Sequence, residues 1–194
     1  MINFKLLPAL KFITEIVDLS EEDLINLTSK MEFKKYKKGS FLIQVNELND
    51  KFFFINKGIV RNLSFDFEGN ELTYDFKIEG MLVSEHMSFL NGSLASLSSQ
   101  CLEDCEVIIV SKKVLDEFYL TSQQGEKLGR LISEKIILEL LNDRIDLHTK
   151  TVSQRYIELT NKFPKIHQRI PQHFIASYLG ITSVHLSRIK SKME

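Results

Sequence analysis

Apolar residues alternate with polar ones in several short runs between residues 33 and 110, and other runs there are rich in β-branched and aromatic residues. Both patterns are typical of β-strands. Six strands are predicted, at residues 33–36, 41–45, 51–56, 59–65, 72–76 and 107–110. Turns that contain glycine, such as Glu68-Gly69-Asn70, separate them. Many short strands at this spacing predict an antiparallel sandwich or small barrel over residues 30–112.

A helical period of three or four residues replaces the strand pattern on both sides of this region. Ser20 precedes three acidic residues and is predicted to cap an N-terminal helix. Residues 84–99 interrupt the strands and are predicted as a helical turn and a loop. Residues 123–148 contain no proline, and their apolar positions recur at helical spacing, which predicts one long helix. Ile137 and Leu140 widen its apolar surface beyond one stripe, so we expect both the barrel and a second copy of the helix to pack against it.

The last part of the chain has a helix-turn-helix pattern, with helices predicted at residues 153–162, 172–179 and 183–193. Gly180 suits the left-handed conformation that ends a helix, and Thr182 suits the cap of the next one. Leu186 and Ile189 are predicted to face inward. The outer face of the last helix, or its edge, then carries Ser183, Val184, His185, Ser187 and Arg188. Such a face can enter the major groove of DNA, although an ordinary helical hairpin would satisfy the same glycine turn.

Charge is distributed unevenly along the chain, although the net charge is only −1. Residues 1–147 hold 17 Lys and Arg against 24 Asp and Glu, whereas residues 148–194 hold 8 against 2. Four of the five histidines also lie in the C-terminal segment. A short basic segment behind an acidic body is typical of a polyanion-binding module, and a solvated basic face is the alternative. Together with the helix-turn-helix pattern, the charge distribution favours a nucleic-acid partner.

The sequence does not predict an enzyme, a metal site or a cofactor. Cys101 and Cys105 have no second Cys or His pair nearby, and on one shared strand their side chains would lie about 13 Å apart, so structural thiols are predicted. Ser84, Glu85 and His86 are neighbours, but adjacent side chains diverge and no oxyanion motif accompanies them. The chain has neither a signal-peptide pattern nor a run of about 18 apolar residues, which predicts a cytoplasmic protein without membrane contact.

The order of these parts resembles that of the CRP/FNR family, the family of the cyclic-AMP receptor protein and the fumarate and nitrate reduction regulator. Three segments fall where that family has the turns of its barrel: Lys38-Gly39-Ser40-Phe41-Leu42, Asn56-Lys57-Gly58-Ile59-Val60-Arg61 and Asp66-Phe67-Glu68-Gly69-Asn70-Glu71-Leu72. The resemblance implies an α+β protein in three parts. These are an antiparallel jelly-roll barrel of the cyclic-nucleotide-binding type at residues 1–112, a dimerisation helix at 113–147 and a winged helix-turn-helix domain at 148–194. Little or no wing is expected, because few residues follow the last helix.

The resemblance also implies a homodimeric transcription regulator that binds double-stranded DNA, with RNA polymerase and an unknown small-molecule effector as further partners. Its effector pocket would contain Glu85, Ala95 and Ser96. Members that bind cyclic AMP have an arginine about ten residues after the acidic residue, where its guanidinium pairs with the phosphate. Ala95 stands at that position, so we expect a vestigial pocket or one adapted to another ligand. The iron–sulfur cysteines of another branch of the family are missing too.

On the DNA side, the resemblance implies that Arg188 contacts a guanine edge. Ser183, Val184 and Ser187 are predicted to share the base-reading face, and a different operator is expected because Ser183 and Val184 stand where the cyclic-AMP receptor has Arg and Glu. Phosphate contacts are implied for His173, Thr182 and His185, which can donate hydrogen bonds, whereas Pro171 at a fourth such position cannot. The alternative function is a ligand-sensing barrel whose C-terminal helices dock a protein partner instead of DNA.

Overall fold

The structure is a computed structural model that describes residues 4–192. The described residues form eight strands, β1 (Glu32–Tyr36), β2 (Phe41–Ile43), β3 (Lys51–Lys57), β4 (Val60–Phe65), β5 (Glu71–Lys77), β6 (Leu82–Val83), β7 (Ser98–Cys101) and β8 (Cys105–Ser111). They also form nine α-helices, α1 (Leu7–Thr14), α2 (Glu21–Ser29), α3 (His86–Asn91), α4 (Lys112–Thr121), α5 (Gly125–Thr149), α6 (Val152–Lys162), α7 (Ile166–Arg169), α8 (Gln172–Leu179) and α9 (Ser183–Ser191). Met193, where the last helix is predicted to end, lies outside the described residues.

The strands form two four-stranded antiparallel sheets, ordered β1-β8-β3-β6 and β2-β7-β4-β5. Side chains alternate between the two faces of each strand, so every second residue points into the space between the sheets. The buried cluster there contains Ile43, Phe53, Ile55, Val60, Val83, Ala95, Cys101, Cys105, Val107 and Ile109. The predicted α+β fold with an antiparallel jelly-roll is confirmed, but the two sheets stay separate and do not close into one barrel. We call residues 32–111 the β-sandwich.

Two strands are missing from the predicted set, β6 and β7. β6 has only two residues, which is too short for a period to be visible. β7 has the sequence Ser-Ser-Gln-Cys, yet it lies between β2 and β4, and Ser98 and Ser99 are buried. Their hydroxyl groups are satisfied by hydrogen bonds: Ser98 Oγ accepts from the Val45 N–H at 2.9 Å, and Ser99 Oγ donates to Asn62 Oδ1 at 2.6 Å. The predicted helical turn within residues 84–99 is α3.

The long helix predicted at residues 123–148 is α5, and it is separated from α4 by residues 122–124. The segment at 113–147 therefore contains two helices rather than one. Gly125 allows the close approach of the two helices, because a Cβ there would lie 2.5 Å from the carbonyl oxygen of Phe118. Leu128 anchors the start of α5 in a cluster with apolar side chains of α1, α2 and α4. None of the helices within residues 4–192 combines the length and apolar character that crossing a bilayer requires.

The C-terminal helices α6 to α9 share a hydrophobic core with the β-sandwich. Ile59, Phe76 and Leu102 of the sandwich belong to the same buried cluster as Tyr156, Leu159, Phe163, Ile166, Ile170, Ile175, Ala176, Leu179, Leu186 and Ile189. A capping box of Thr151 and Gln154 begins α6. α7 is an additional short helix that the sequence pattern does not predict. The C-terminal helices are thus packed against the sandwich in this structure.

Cys101 and Cys105 lie on different strands, so the separation of about 13 Å that a shared strand would give is wrong. They end β7 and begin β8 on either side of the turn at residues 102–104, and both are buried and free of disulfides. The neighbouring Cys105 thiol, together with burial, raises the pKa of Cys101. The pair fills space in the core, and the Cys105 thiol also donates to the Ile59 carbonyl oxygen at 3.5 Å.

Candidate nucleic-acid interface and effector pocket

The turn between α8 and α9 has the backbone geometry of a helix-turn-helix. Gly180 adopts the left-handed conformation with φ +72°, and its N–H donates to the Ser177 carbonyl at 3.0 Å. Two residues later, Thr182 Oγ1 accepts from the His185 N–H at 3.2 Å and so caps α9. The end of α8 at Gly180 and the cap of α9 at Thr182, both predicted from the sequence, are therefore present. They set the direction in which α9 leaves α8.

The two faces of α9 have the polarity that the sequence predicts. Leu186 and Ile189 are buried in the core shared with the β-sandwich. The opposite side is solvent-exposed along its whole length and carries the four predicted base-reading residues, Ser183, Val184, Ser187 and Arg188. A single helix therefore presents one cation and three small side chains on a free surface, which suits insertion into a DNA groove.

The predicted phosphate-contacting residues lie next to this surface. His173 at the start of α8 is exposed, as are Thr182 and His185 at the start of α9. His173, Thr182 and Ser183 line one shallow depression between the two helix N-termini. Helix N-termini expose backbone N–H groups and carry a partial positive charge, so both favour a phosphate here. The structure thus brings together residues that are ten positions apart in the sequence.

The β4–β5 hairpin forms the other wall of this depression, which the sequence pattern does not predict. Asn70 and Leu72 of the hairpin line it together with the residues of α8 and α9. The hairpin turn is held by Asp66, whose carboxylate accepts the N–H groups of Glu68 at 2.9 Å and Asn70 at 2.8 Å. Its acidic side chains therefore lie near the surface on which phosphates are expected.

Ion pairs bind α7 to the β-sandwich. The Arg169 guanidinium donates two hydrogen bonds to Glu79, at 3.1 and 2.7 Å, and two to Glu103, at 3.3 and 2.5 Å. Burial alone would raise the pKa of Glu79, but hydrogen bonds from Arg169 and from the Gly58 N–H outweigh it, and the net shift is downward. We call Arg169, Glu79 and Glu103 the interdomain clamp.

Contacts of α8 complete the docking on the β-sandwich. The buried Arg61 guanidinium stacks on the Phe174 ring, 3.7 Å from its centroid, and also hydrogen bonds with Glu71. Ser177 Oγ accepts from the Thr73 N–H at 2.9 Å. The Arg61–Phe174 and Thr73–Ser177 contacts connect residues more than one hundred positions apart, so no local sequence signal indicates them.

The predicted effector-pocket residues come together, but their polar atoms are already engaged. Glu85 is buried and caps α3, where its Oε2 accepts from the Ser88 N–H at 2.6 Å. Its Oε1 accepts from Ser96 Oγ at 3.2 Å. Ala95 is buried among the apolar side chains between the sheets. Within residues 4–192, no ion pair joins Glu85 to a Lys or Arg side chain.

A second polar cluster lies on the strands β4, β5 and β7. Asn62 Nδ2 donates to Asp75 Oδ1 at 2.6 Å, and Lys77 Nζ pairs with Asp75 Oδ2 at 3.0 Å. Burial would lower the pKa of Lys77, but Asp75 together with Glu139 and Asp143 of α5 raises it. Asp75 pairs directly with this ammonium group, and the negative charges of Glu139 and Asp143 also favour its ionised form. This balance disfavours an anionic ligand between the β-sandwich and α5.

Comparison with known proteins agrees with the fold. Residues 33–122 match the family model of the cyclic nucleotide-binding domain. No curated protein matches the sequence. The matched segment covers the β-sandwich and α4, and α5 to α9 lie outside it.

Solved structures match both this domain and the helices after it. The c-di-GMP responsive global regulator CLP of Xanthomonas campestris is 14% identical, with a TM-score of 0.69 over 90% of this chain and 91% of that chain. FixK2 of Bradyrhizobium japonicum is 18% identical, with a TM-score of 0.66 over 84% of each chain. The catabolite activator protein of Thermus thermophilus is 17% identical, with a TM-score of 0.57 over 90% of this chain and 84% of that chain. The predicted CRP/FNR-type architecture is therefore confirmed at the level of the fold.

Proposed function

We propose that this protein is a homodimeric transcription regulator that recognises a specific DNA sequence through α9. The exposed outer face of α9 carries the proposal, because a capped helix with a buried apolar side and a free polar side is what groove reading needs. The similar protein CLP is a global regulator that links cell-cell signalling to virulence gene expression, which supports a regulatory role for the shared architecture. We assign residues 1–112 to sensing, 113–147 to dimerisation and 148–194 to DNA binding, and RNA polymerase remains a predicted partner.

The roles of individual residues follow from their places on the two helices. Arg188 reads a base, with guanine O6 and N7 as the acceptors that suit a guanidinium. Ser183, Val184 and Ser187 form the remainder of the reading face. His173, Thr182 and His185 donate to phosphates and fix the register of α9 on the duplex. Two copies of α9, one per protomer, suit half-sites about one helical turn apart.

Selection from a randomised duplex library tests the proposal. The purified protein is mixed with the library at physiological salt, and the bound DNA is sequenced. A pseudo-palindrome is expected. Arg188→Ala should cost about 1 to 3 kcal/mol on the selected site and relax the preference at one base pair of each half-site.

Arg144→Ala is the matched control, because Arg144 is an exposed cation on α5 away from the helix-turn-helix. It should leave the selected sequence unchanged. If Arg188→Ala weakens binding to selected and random duplexes equally, Arg188 does not read a base. If duplex binding lacks both enrichment and steep salt dependence, the C-terminal helices dock a protein partner instead.

A further inference from the structure

A cavity of about 330 Å³ lies where α1, α3, α4 and α5 meet the outer face of β3 and β8. Phe52 and Phe54 of β3 line it, whereas Phe53, which lies between them in sequence, points into the core between the sheets. The cavity is therefore on the opposite side of this sheet from the sandwich core. Glu85, Ala95 and Ser96 are not among its lining residues, so it is distinct from the effector pocket implied by the resemblance.

The body of the cavity is apolar. Its walls include Phe12, Phe54, Leu82, Phe89, Ile108 and Ile136, which come from helices and strands far apart in sequence. An apolar cavity of about 150 Å³ is enough to bind benzene, so this one has room for roughly twice that volume. Pockets of about 300 Å³ and above with an apolar lining and a few polar groups are typical ligand sites.

The charged groups that line the cavity carry no net charge. Lys112 Nζ and Asp116 Oδ1 are 3.6 Å apart, so they neutralise each other. His86 lies beside the Phe52 ring at 5.7 Å, and burial lowers its pKa, which keeps the imidazole neutral. Tyr119 adds a hydroxyl group. These side chains offer hydrogen-bond donors and acceptors to a ligand but no unpaired charge.

The cavity is open to solvent on the side of α3. Leu90 of α3 lines the cavity and is 71% exposed. A small molecule can therefore enter without unfolding the sandwich. Once inside, it would contact α3, which Glu85 caps, and α5, which carries the proposed dimer surface.

We propose that this cavity binds a small uncharged amphipathic molecule, with an apolar body among the aromatic and aliphatic walls and one hydrogen-bonding head beside Lys112, Asp116 and His86. An uncharged head matches the neutral polar cluster. A carboxylate would have to lose water next to Asp116 without gaining a free cation. Transfer of the body from water into the apolar walls drives binding.

The test uses isothermal titration calorimetry on the full-length protein with two probes of equal chain length, 1-octanol and octanoate, at pH 7. 1-Octanol is expected to bind, and octanoate to bind at least about tenfold more weakly. Absence of 1-octanol binding would overturn the proposal. Equal affinity for the two probes would overturn the assignment of an uncharged head. Neither readout involves DNA, so the result is independent of the proposed function.

Variants place the binding in the cavity. Ile136→Trp adds bulk to a half-buried wall residue and should abolish 1-octanol binding. Leu147→Trp is the matched control, because Leu147 is exposed on α5 and does not line the cavity. A changed circular dichroism spectrum or sedimentation coefficient would show that Ile136→Trp disturbs the fold. In that case Leu115→Trp, which adds bulk to the α4 wall of the cavity, is tested in its place. 1-Octanol binding that persists in a folded wall variant would contradict the proposal.

Discussion

At the scale of single residues, Thr182 has two roles that can be separated. Its Oγ1 accepts from the His185 N–H and caps α9, while its exposed hydroxyl hydrogen is available to a phosphate. Thr182→Ala should lower the free energy of unfolding by about 1 kcal/mol, because the capping bond is lost. Urea denaturation measures this change. Thr182→Ser keeps the hydroxyl and should leave both stability and DNA affinity close to those of the wild type.

Thr182→Asp divides the two roles. Aspartate is as good a cap as threonine and has a favourable charge at a helix N-terminus, so stability should be kept. Its carboxylate would repel a DNA phosphate, so affinity for the selected duplex should fall about tenfold or more. Fluorescence anisotropy with a labelled duplex gives the affinity. Unchanged affinity would remove Thr182 from the set of phosphate-contacting residues.

At the scale of the elements, Gly125 controls how α4 joins α5. Alanine usually stabilises a helix by about 1 kcal/mol relative to glycine. Here the added Cβ would lie 2.5 Å from the Phe118 carbonyl oxygen and 2.8 Å from the Tyr119 Cα, which are backbone atoms that cannot move freely. We therefore expect Gly125→Ala to destabilise the protein by about 1 to 3 kcal/mol.

Gly129→Ala is the comparison within the same helix. Its Cβ would meet the Tyr119 ring at 2.9 Å, and a side chain can shift more easily than backbone. The loss in thermal stability should therefore be smaller than for Gly125→Ala. A stabilising effect of Gly125→Ala in calorimetry would show that the α4–α5 junction tolerates a side chain.

The exposed face of α5 is the element on which the proposed dimer depends. Leu138, Leu141 and Ile145 recur at helical spacing and are 60%, 51% and 55% exposed. An apolar stripe of this kind on a 25-residue helix is expected to pack against a second copy. Leu138→Asp combined with Ile145→Asp should give a monomer in sedimentation velocity. Leu147→Asp, on the opposite side of the helix, should leave the dimer intact, and a dimeric double variant would exclude this face.

Periodicity predicted the elements whose own residues alternate in polarity. The positions of β3, β5, α5, α8 and α9 follow from their hydrophobic patterns and turn residues. β7 was missed because hydrogen bonds satisfy its buried serines, so polar residues occupy the middle of a sheet. The contact between the two cysteines was missed because the chain reverses direction between β7 and β8, which a spacing argument along one strand ignores.

At the scale of the whole molecule, the sequence predicted the order of the parts but not how they pack. The charge difference and the helix-turn-helix pattern mark the C-terminal helices as a separate functional segment. Their packing on the β-sandwich depends on Arg61 with Phe174 and on Thr73 with Ser177, which are distant in sequence. The order of parts therefore follows from local signals, whereas the position of α9 relative to the sandwich requires the three-dimensional contacts.

The interdomain clamp is expected to hold that position. Glu79→Gln combined with Glu103→Gln removes both carboxylates from Arg169. The Glu79 side chain is 36% exposed, so solvent screens its interaction with Arg169. We therefore expect the double variant to lose about 1 kcal/mol of docking free energy. This loss corresponds to roughly fivefold faster amide hydrogen exchange in α7 and α8. Glu106→Gln is the control, because Glu106 pairs with Lys35 away from these helices. Equal exchange in the double variant and the wild type would show that apolar packing alone holds the helices.

The clamp also gives the docking a pH dependence of known sign. The pKa of Glu79 is lowered in the folded protein from its ordinary value of 4.5, so the docked state favours the ionised carboxylate. Its contribution is fully present above pH 4.5 and is lost as the pH falls through the lowered pKa. Exchange in α7 and α8, corrected for the intrinsic effect of pH, should therefore accelerate only below that value in the wild type. The double variant has no carboxylates at these positions and should lack this part of the acid dependence, so an identical acid response in both proteins would assign the pH effect to other groups.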